Sequence, residues 1–116
     1  MIKTKRRTID LKLNFPTIVC LCGSTRFGDA FREVNLRETL RGRIILTVGC
    51  DFKGDDAMGL SAEDKERLDD LHKRKIDLAD EIFVLNVGGY IGDSTRSEIE
   101  YATTHGKPVR YLEPCD

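Results

Sequence analysis

Two short loops carry the residue types that could bind or transform a small ligand. The first is Gly23-Ser24-Thr25-Arg26, which follows an apolar run and precedes an amphipathic segment. Such a loop directs free backbone N–H groups toward a helix entrance, and its hydroxyls and guanidinium add donors suited to a phosphate. In the alternative interpretation, Ser24 or Thr25 only caps the helix and Arg26 is solvated. The loop matches neither a Walker A sequence nor a G-x-G-x-x-G fingerprint.

The second loop spans 88–95, and its three glycines permit a ligand to approach the backbone closely. Glu98 follows it, and a carboxylate at the mouth of an α/β crevice is the best candidate nucleophile or base in the chain. The alternative is structural, because Thr95-Arg96-Ser97-Glu98 matches a capping box in which Glu98 bonds back to the Thr95 backbone. The candidate substrate-binding residues of the two loops are Gly23, Ser24, Thr25, Arg26, Gly89, Gly92, Asp93 and Ser94.

Short apolar runs alternate with longer amphipathic segments, which predicts the elements that position these loops. Strands are predicted at 17–22, 44–48, 82–87 and 108–112, helices at 26–41, 61–79 and 95–105, and an extra edge strand at 9–15. Helices between strands imply right-handed crossovers, so the predicted fold class is α/β. We expect a three-layer, flavodoxin- or Rossmann-like parallel sheet of four to five strands with helices on both faces. With strand order 2-1-3-4, both loops fall at the switch point where such sheets bind ligands.

Length and composition indicate one globular domain. The 116 residues are 40% hydrophobic and 34% charged, with a net charge of −1 that gives no general attraction to nucleic acid or anionic lipid. We expect a domain at 17–116 preceded by a basic segment at 1–16, which is either a solvated tail or a contact for nucleic acid. No membrane span or signal-peptide pattern is present, so we expect a cytoplasmic protein without a membrane partner.

The cysteines and histidines give no recognisable metal motif. Cys20 and Cys22 alternate within an apolar run, so on a strand they share one face, where small buried cysteines are common core residues. No C-x-x-C pair occurs, and the two histidines are not at zinc-ligand spacing. The sequence therefore predicts reduced thiols, no metal and no cofactor.

Three motifs together resemble the nucleoside 2-deoxyribosyltransferase superfamily, which includes the 2′-deoxynucleoside 5′-monophosphate N-hydrolases. They are Cys-Gly-Ser-Thr-Arg at 22–26, Asp-Ser-Thr-Arg-Ser-Glu-Ile-Glu-Tyr-Ala at 93–102, and Gly-Lys-Pro-Val at 106–109. The resemblance covers about residues 17–113. It implies cleavage or transfer at the N-glycosidic bond of a (deoxy)nucleoside or nucleoside 5′-monophosphate. By this resemblance Glu98 attacks the anomeric carbon, and Ser24 and Arg26 hold the 5′-phosphate.

Two positions depart from the family pattern. Cys20 stands where the family has a tyrosine that orients the carboxylate, and His72 falls where it has an aspartate that helps to protonate the base. A histidine can donate a proton near neutral pH, so His72 is a candidate acid toward the base. It also lies on an apolar helical stripe with Leu68, Leu71, Ile76 and Ala79, where a core histidine is the alternative. A non-catalytic nucleotide-binding or regulatory module is the rival function.

Leu36 and Leu40 lie on roughly the opposite side of the first predicted helix from its apolar face, which includes Phe31 and Val34. They either meet another subunit or pack under the N-terminal segment. The family resemblance implies oligomers in which neighbouring subunits complete the site. We therefore expect a homodimer.

Overall fold

The computed structural model describes residues 15–49 and 59–114, and within them it contains every strand and helix predicted after residue 16. The ends differ from the predicted ones by at most three residues. The bounds are β1 Ile18–Cys22, α1 Gly28–Leu40, β2 Ile44–Leu46, α2 Ala62–Leu78, β3 Glu81–Val84, a short 3-10 turn Val87–Gly89, α3 Asp93–Thr104 and β4 Val109–Tyr111.

The sheet has the order β2-β1-β3-β4, and each neighbouring pair is parallel, which confirms the predicted topology. Cys20 pairs with Leu46 on one side and with Ile82 on the other, so β1 is a central strand. Four strands form the sheet in the described residues. The predicted fifth strand at 9–15 and the basic segment at 1–16 lie almost entirely outside them.

Alternation along β1 divides the core between two layers, as strand geometry requires. The side chains of Val19 and Leu21 pack on one face with Phe31 and Val34 of α1. On the other face, β1 packs against α2 and α3 through Ile18, Cys20, Cys22, Ile76, Ala79 and Ala102. The helices thus cover both faces of a three-layer α/β domain.

The predicted apolar stripe of α2 is wrong at its N-terminal end. His72 and Ile76 are buried, whereas Leu68 and Leu71 are 43% and 53% exposed. These leucines border a cavity and belong to neither core cluster. None of the described helices is long and apolar enough to cross a membrane.

A buried ion cluster ties α1 to the sheet. Glu38 carries an ionisable side chain but has no exposed surface, because it lies on the inner face of α1. Its carboxylate accepts a 2.7 Å hydrogen bond from Arg110 of β4, and the guanidinium groups of Arg41 and Arg43 lie within 3.4 Å. Arg110 also pairs with Glu81 at the start of β3. Burial opposes the charge on Glu38, but the hydrogen bond and charge of Arg110 lower the pKa of Glu38 overall.

Candidate functional site

A cavity of about 470 Å³ lies at the carboxyl ends of the central strands, where the loops after β1 and β3 meet. Its walls also include the end of β2 and one face of α2. This volume falls within the usual range of small-molecule sites. The predicted site residues in its lining are Gly23, Ser24, Thr25, His72, Gly92, Asp93, Ser94 and Glu98.

Glu98 lies inside this cavity and does not cap its helix. The N-cap of α3 is Gly92, whose extended backbone (φ −82°, ψ 178°) starts the helix three residues before Thr95. Glu98 therefore belongs to the second turn, where it cannot bond back to the N-cap backbone. The capping-box interpretation is wrong, and Glu98 is free to line the cavity, with 8% of its surface exposed.

Burial and a neighbouring imidazole set the electrostatics of Glu98. Burial raises the pKa of Glu98 to about 7, while a charge on His72 acts in the opposite direction. His72 Nε2 lies 4.0 Å from Glu98 Oε1. Near neutral pH the carboxyl group is thus present in both its ionised and its protonated form.

His72 also joins a cluster with the two cysteines of β1. Its Nε2 lies 3.5 Å from Cys20 Sγ and 3.5 Å from Cys22 Sγ, and both cysteines are fully buried. A hydrogen bond from Cys22, together with the contact to His72, lowers the pKa of Cys20 to about 5. The pKa of Cys22 is raised by its bond to Cys20 and by burial. Burial opposes the charged form of His72, but the bond to Cys20 raises its pKa overall.

Cys20 and Cys22 are buried in the core as predicted, but the sequence did not reveal that both contact His72. One ligand atom from each of Cys20, Cys22 and His72 lies within 4.8 Å of the others. Among the described residues, these three side chains form the one group of histidine, cysteine and acidic residues whose ligand atoms are close enough to hold a metal ion. The i, i+2 spacing of the cysteines was visible in the sequence, but their approach to a histidine 50 residues away depends on how α2 packs on β1.

The first loop is held close to the sheet. A Cβ added to Gly23 would lie 3.2 Å from both Cβ and the carbonyl oxygen of Leu85, so the close approach of loop and strand favours glycine. Ser24 Oγ accepts a 3.3 Å hydrogen bond from the Arg26 N–H. The N-cap of α1 is Phe27, without a side-chain cap, so the interpretation of Ser24 or Thr25 as its cap is wrong.

Arg26 and Tyr90 connect the two loops at the rim of the cavity. The guanidinium of Arg26 lies 4.4 Å above the ring of Tyr90, and its Nη2 is 3.4 Å from the tyrosine hydroxyl. Tyr90 lines the cavity, whereas Arg26 and Gly89 are exposed outside its lining. Gly89 has a φ of 82°, a backbone conformation that glycine adopts readily, and it shapes the turn before Tyr90.

Two lysines that the sequence analysis did not single out also line the cavity. Lys65 and Lys75 come from the same face of α2 as His72 and Asp69. Lys75 Nζ donates a 2.6 Å hydrogen bond to the Thr47 carbonyl at the end of β2. Successive members of the set at 65, 69, 72 and 75 are three or four residues apart, which follows the helical repeat, so the sequence held a signal for this polar face.

A scan against protein-family models, a search of curated proteins and a search of solved structures each return no match to this chain.

Proposed function

We propose that the cavity binds a nucleoside or nucleoside 5′-monophosphate and that Glu98 acts as the nucleophile in cleavage or transfer at its N-glycosidic bond. The observation that carries the proposal is the place of Glu98: a carboxylate on the second turn of α3, in the cavity lining and unused as a helix cap. No metal or cofactor is required for this step.

The two ends of the cavity suit the two ends of such a ligand. The loop at 23–26 offers hydroxyls and backbone N–H groups to a 5′-phosphate, with the guanidinium of Arg26 at the rim and the ammonium group of Lys65 in the lining. The ring of Tyr90 provides an apolar wall. With the phosphate at the first loop, we place the sugar beside Glu98 at the start of α3.

The proposed chemistry has two steps. Ionised Glu98 attacks C1′, and the C1′–N bond breaks with its electron pair passing to the base, which takes up a proton as it leaves. Water then attacks C1′ of the glycosyl ester, the C1′–O bond to Glu98 breaks and returns the carboxylate, and the water loses a proton to solvent as the free sugar forms. A second base that attacks C1′ in place of water, and likewise loses its N–H proton, yields a new nucleoside. His72 lies in the lining as the predicted acid toward the base. Its Nε2 contacts the two thiols and lies 4.0 Å from Glu98 Oε1, which supports a second proposed role, that of positioning Glu98.

The test is a panel of deoxynucleosides and their 5′-monophosphates, incubated with the purified protein and assayed chromatographically for free base. We expect base release from at least one member, and release that is absent in Glu98→Gln. Base release by Glu98→Gln at the wild-type rate would contradict the assignment of Glu98 as the nucleophile.

A second candidate is a nucleotide-binding module without catalysis, and the surroundings of Cys20 favour it. This residue occupies the position of the family's orienting tyrosine, yet it has no exposed surface and does not line the cavity. Saturable binding of a monophosphate by calorimetry, without base release over the same panel, would support the module and exclude the enzyme.

We also propose that the chain forms a homodimer through α1. Leu36 and Leu40 are 61% and 77% exposed, so they do not pack under the described part of the chain. A second subunit would bury them and could help to close the cavity.

A further inference from the structure

We propose that Cys20, Cys22 and His72 bind one Zn²⁺ ion beneath the floor of the cavity. The inference goes beyond the proposed function and does not depend on it, because it concerns the side chains behind Glu98 rather than the reaction at Glu98.

The distances between the three side chains match those of a tetrahedral zinc site. Zinc binds thiolate sulfur at about 2.3 Å and imidazole nitrogen at about 2.0–2.1 Å, which places the two ligand atoms about 3.5 Å apart. His72 Nε2 is 3.5 Å from each of the two sulfur atoms, and the whole ligand set fits within 4.8 Å. One ion can therefore contact all three atoms with small movements of the side chains.

Hydrogen bonding alone satisfies this cluster less well. Nε2 carries either one lone pair or one N–H, so it makes one conventional hydrogen bond, although two sulfur atoms stand at the same distance from it. The two thiols also hydrogen-bond to each other, Cys22 hydrogen-bonds to Glu98, and each thiol lies 4.0 Å from a backbone carbonyl group. A metal ion would satisfy all three ligand atoms at once.

The charge and chemistry of the cluster favour zinc. Cys20 and Cys22 are fully buried, and an isolated buried charge is costly. Two thiolates and a neutral imidazole around a divalent ion make a site without net charge, which removes most of that cost. Soft thiolate ligands combined with imidazole favour zinc over the hard ions magnesium and calcium.

Glu98 is the carboxylate next to the proposed ligands. Its Oε1 lies 4.0 Å from His72 Nε2, whereas neighbouring nitrogen and oxygen ligands of a tetrahedral zinc lie about 3.3 Å apart. Glu98 is therefore beside the ion rather than among its ligands. A site with three protein ligands can hold a water molecule or a ligand group in the fourth position, next to this carboxylate.

The experiment is a titration of the reduced, metal-stripped full chain with Co²⁺ and then with Zn²⁺. We expect a thiolate-to-cobalt charge-transfer band, the strong visible absorption of a tetrahedral site, and displacement by about one Zn²⁺ per chain. X-ray absorption of the zinc-loaded wild type should show two sulfur ligands and one imidazole nitrogen. That measurement decides the ligand set even if a variant fails to fold.

Variants assign the ligands. Cys20→Ser, Cys22→Ser and His72→Gln should each weaken zinc affinity by more than the roughly 10–100-fold that a lost outer-shell partner costs. The double variant Cys50→Ser/Cys115→Ser should bind like the wild type, because it keeps both proposed thiols. Glu98→Gln should keep the metal while losing the proposed glycosidic activity, so the two proposals fail separately. Absence of the charge-transfer band, or zinc affinity unchanged in the ligand variants, would overturn the site.

Discussion

Glu98 is the side chain on which the proposed chemistry depends, and its helix gives it that place. The start of α3 at Asp93 turns Glu98 toward the cavity, one helical turn beyond the positions where a carboxylate would cap the backbone. Burial against His72 and the thiols of β1 then separates it from bulk water. A carboxylate held in this way is preorganised to approach a bound sugar.

Replacing Glu98 by glutamine should abolish base release, lowering the rate by several orders of magnitude, because the amide cannot form the covalent intermediate. Binding of the ligand should persist, since the shape of the cavity is nearly unchanged. Rates from chromatography and affinities from calorimetry separate the two effects. Glu100→Gln is the matched control, because Glu100 is exposed on the same helix and should have no effect on either. Near-wild-type turnover in Glu98→Gln would contradict the nucleophilic role.

Arg26 is expected to recognise phosphate rather than the nucleoside. A charge-assisted pair with phosphate contributes about 1.5–3 kcal/mol, so Arg26→Ala should weaken monophosphate binding roughly 10–100-fold and leave nucleoside binding unchanged. Paired calorimetric titrations with a nucleoside and its monophosphate measure the difference. Arg32→Ala serves as control, because Arg32 is exposed on α1 and pairs with Asp29. Equal losses for both ligands would assign Arg26 to the contact with Tyr90 instead.

At the scale of elements, α2 serves two purposes along one face. Ile76, near its C-terminal end, packs into the core, while Lys65, His72 and Lys75 line the cavity along the length of the helix. The capping box of Ser61 with Asp64 fixes where this helix begins, with Ser61 Oγ accepting a 3.0 Å hydrogen bond from the Asp64 N–H. The helix start thus sets which residues reach the site.

The Glu38 cluster should contribute measurably to the attachment of α1. Glu38→Gln removes a buried charge-assisted hydrogen bond to Arg110 and should lower the free energy of unfolding by about 2–3 kcal/mol in urea titrations at neutral pH. Because the folded state lowers the pKa of Glu38, its contribution is full above the ordinary carboxyl pKa. The contribution is lost as the pH falls through the lowered value.

The difference in stability between wild type and Glu38→Gln should therefore shrink on acidification. The groups that face this carboxylate are the guanidinium groups of Arg41, Arg43 and Arg110. Glu33→Gln is the matched control, since Glu33 is exposed on the same helix and should change stability little at any pH. A difference that stays constant from neutral to acidic pH would show that packing, rather than ionisation, accounts for the effect.

At the scale of the whole molecule, the exposed leucines of α1 predict a dimer. Completing the burial of Leu36 and Leu40 would contribute about 2–4 kcal/mol per subunit before the entropic cost of association. Light scattering at micromolar concentration should give a dimer mass, and Leu36→Lys/Leu40→Lys should give a monomer that stays folded, because neither leucine is in the core. Leu78→Lys, an exposed leucine on α2, should leave the dimer intact. A monomeric wild type would reject the prediction.

The sequence by itself determined the order of the elements, the parallel sheet and the meeting of the two loops at one edge. Apolar runs and helical periodicity are local signals, and the right-handed crossover converts them into a topology with few alternatives. The loops after β1 and β3 had to meet once those strands were neighbours. The same local signals failed at Thr95, because a capping box looks identical in sequence whether the helix begins there or at Gly92.

Only the tertiary structure decided which side chains converge. His72 meets Cys20 across 52 residues of chain, and Glu38 meets Arg110 across 72. Such contacts depend on how each helix is rotated and placed on the sheet, and this depends on the packing of Phe31, Ile76 and the rest of the core. Periodicity fixes which residues share a face of one element. It does not fix which face of another element they meet, so the cysteine–histidine cluster and the buried Glu38 emerged only from the folded chain.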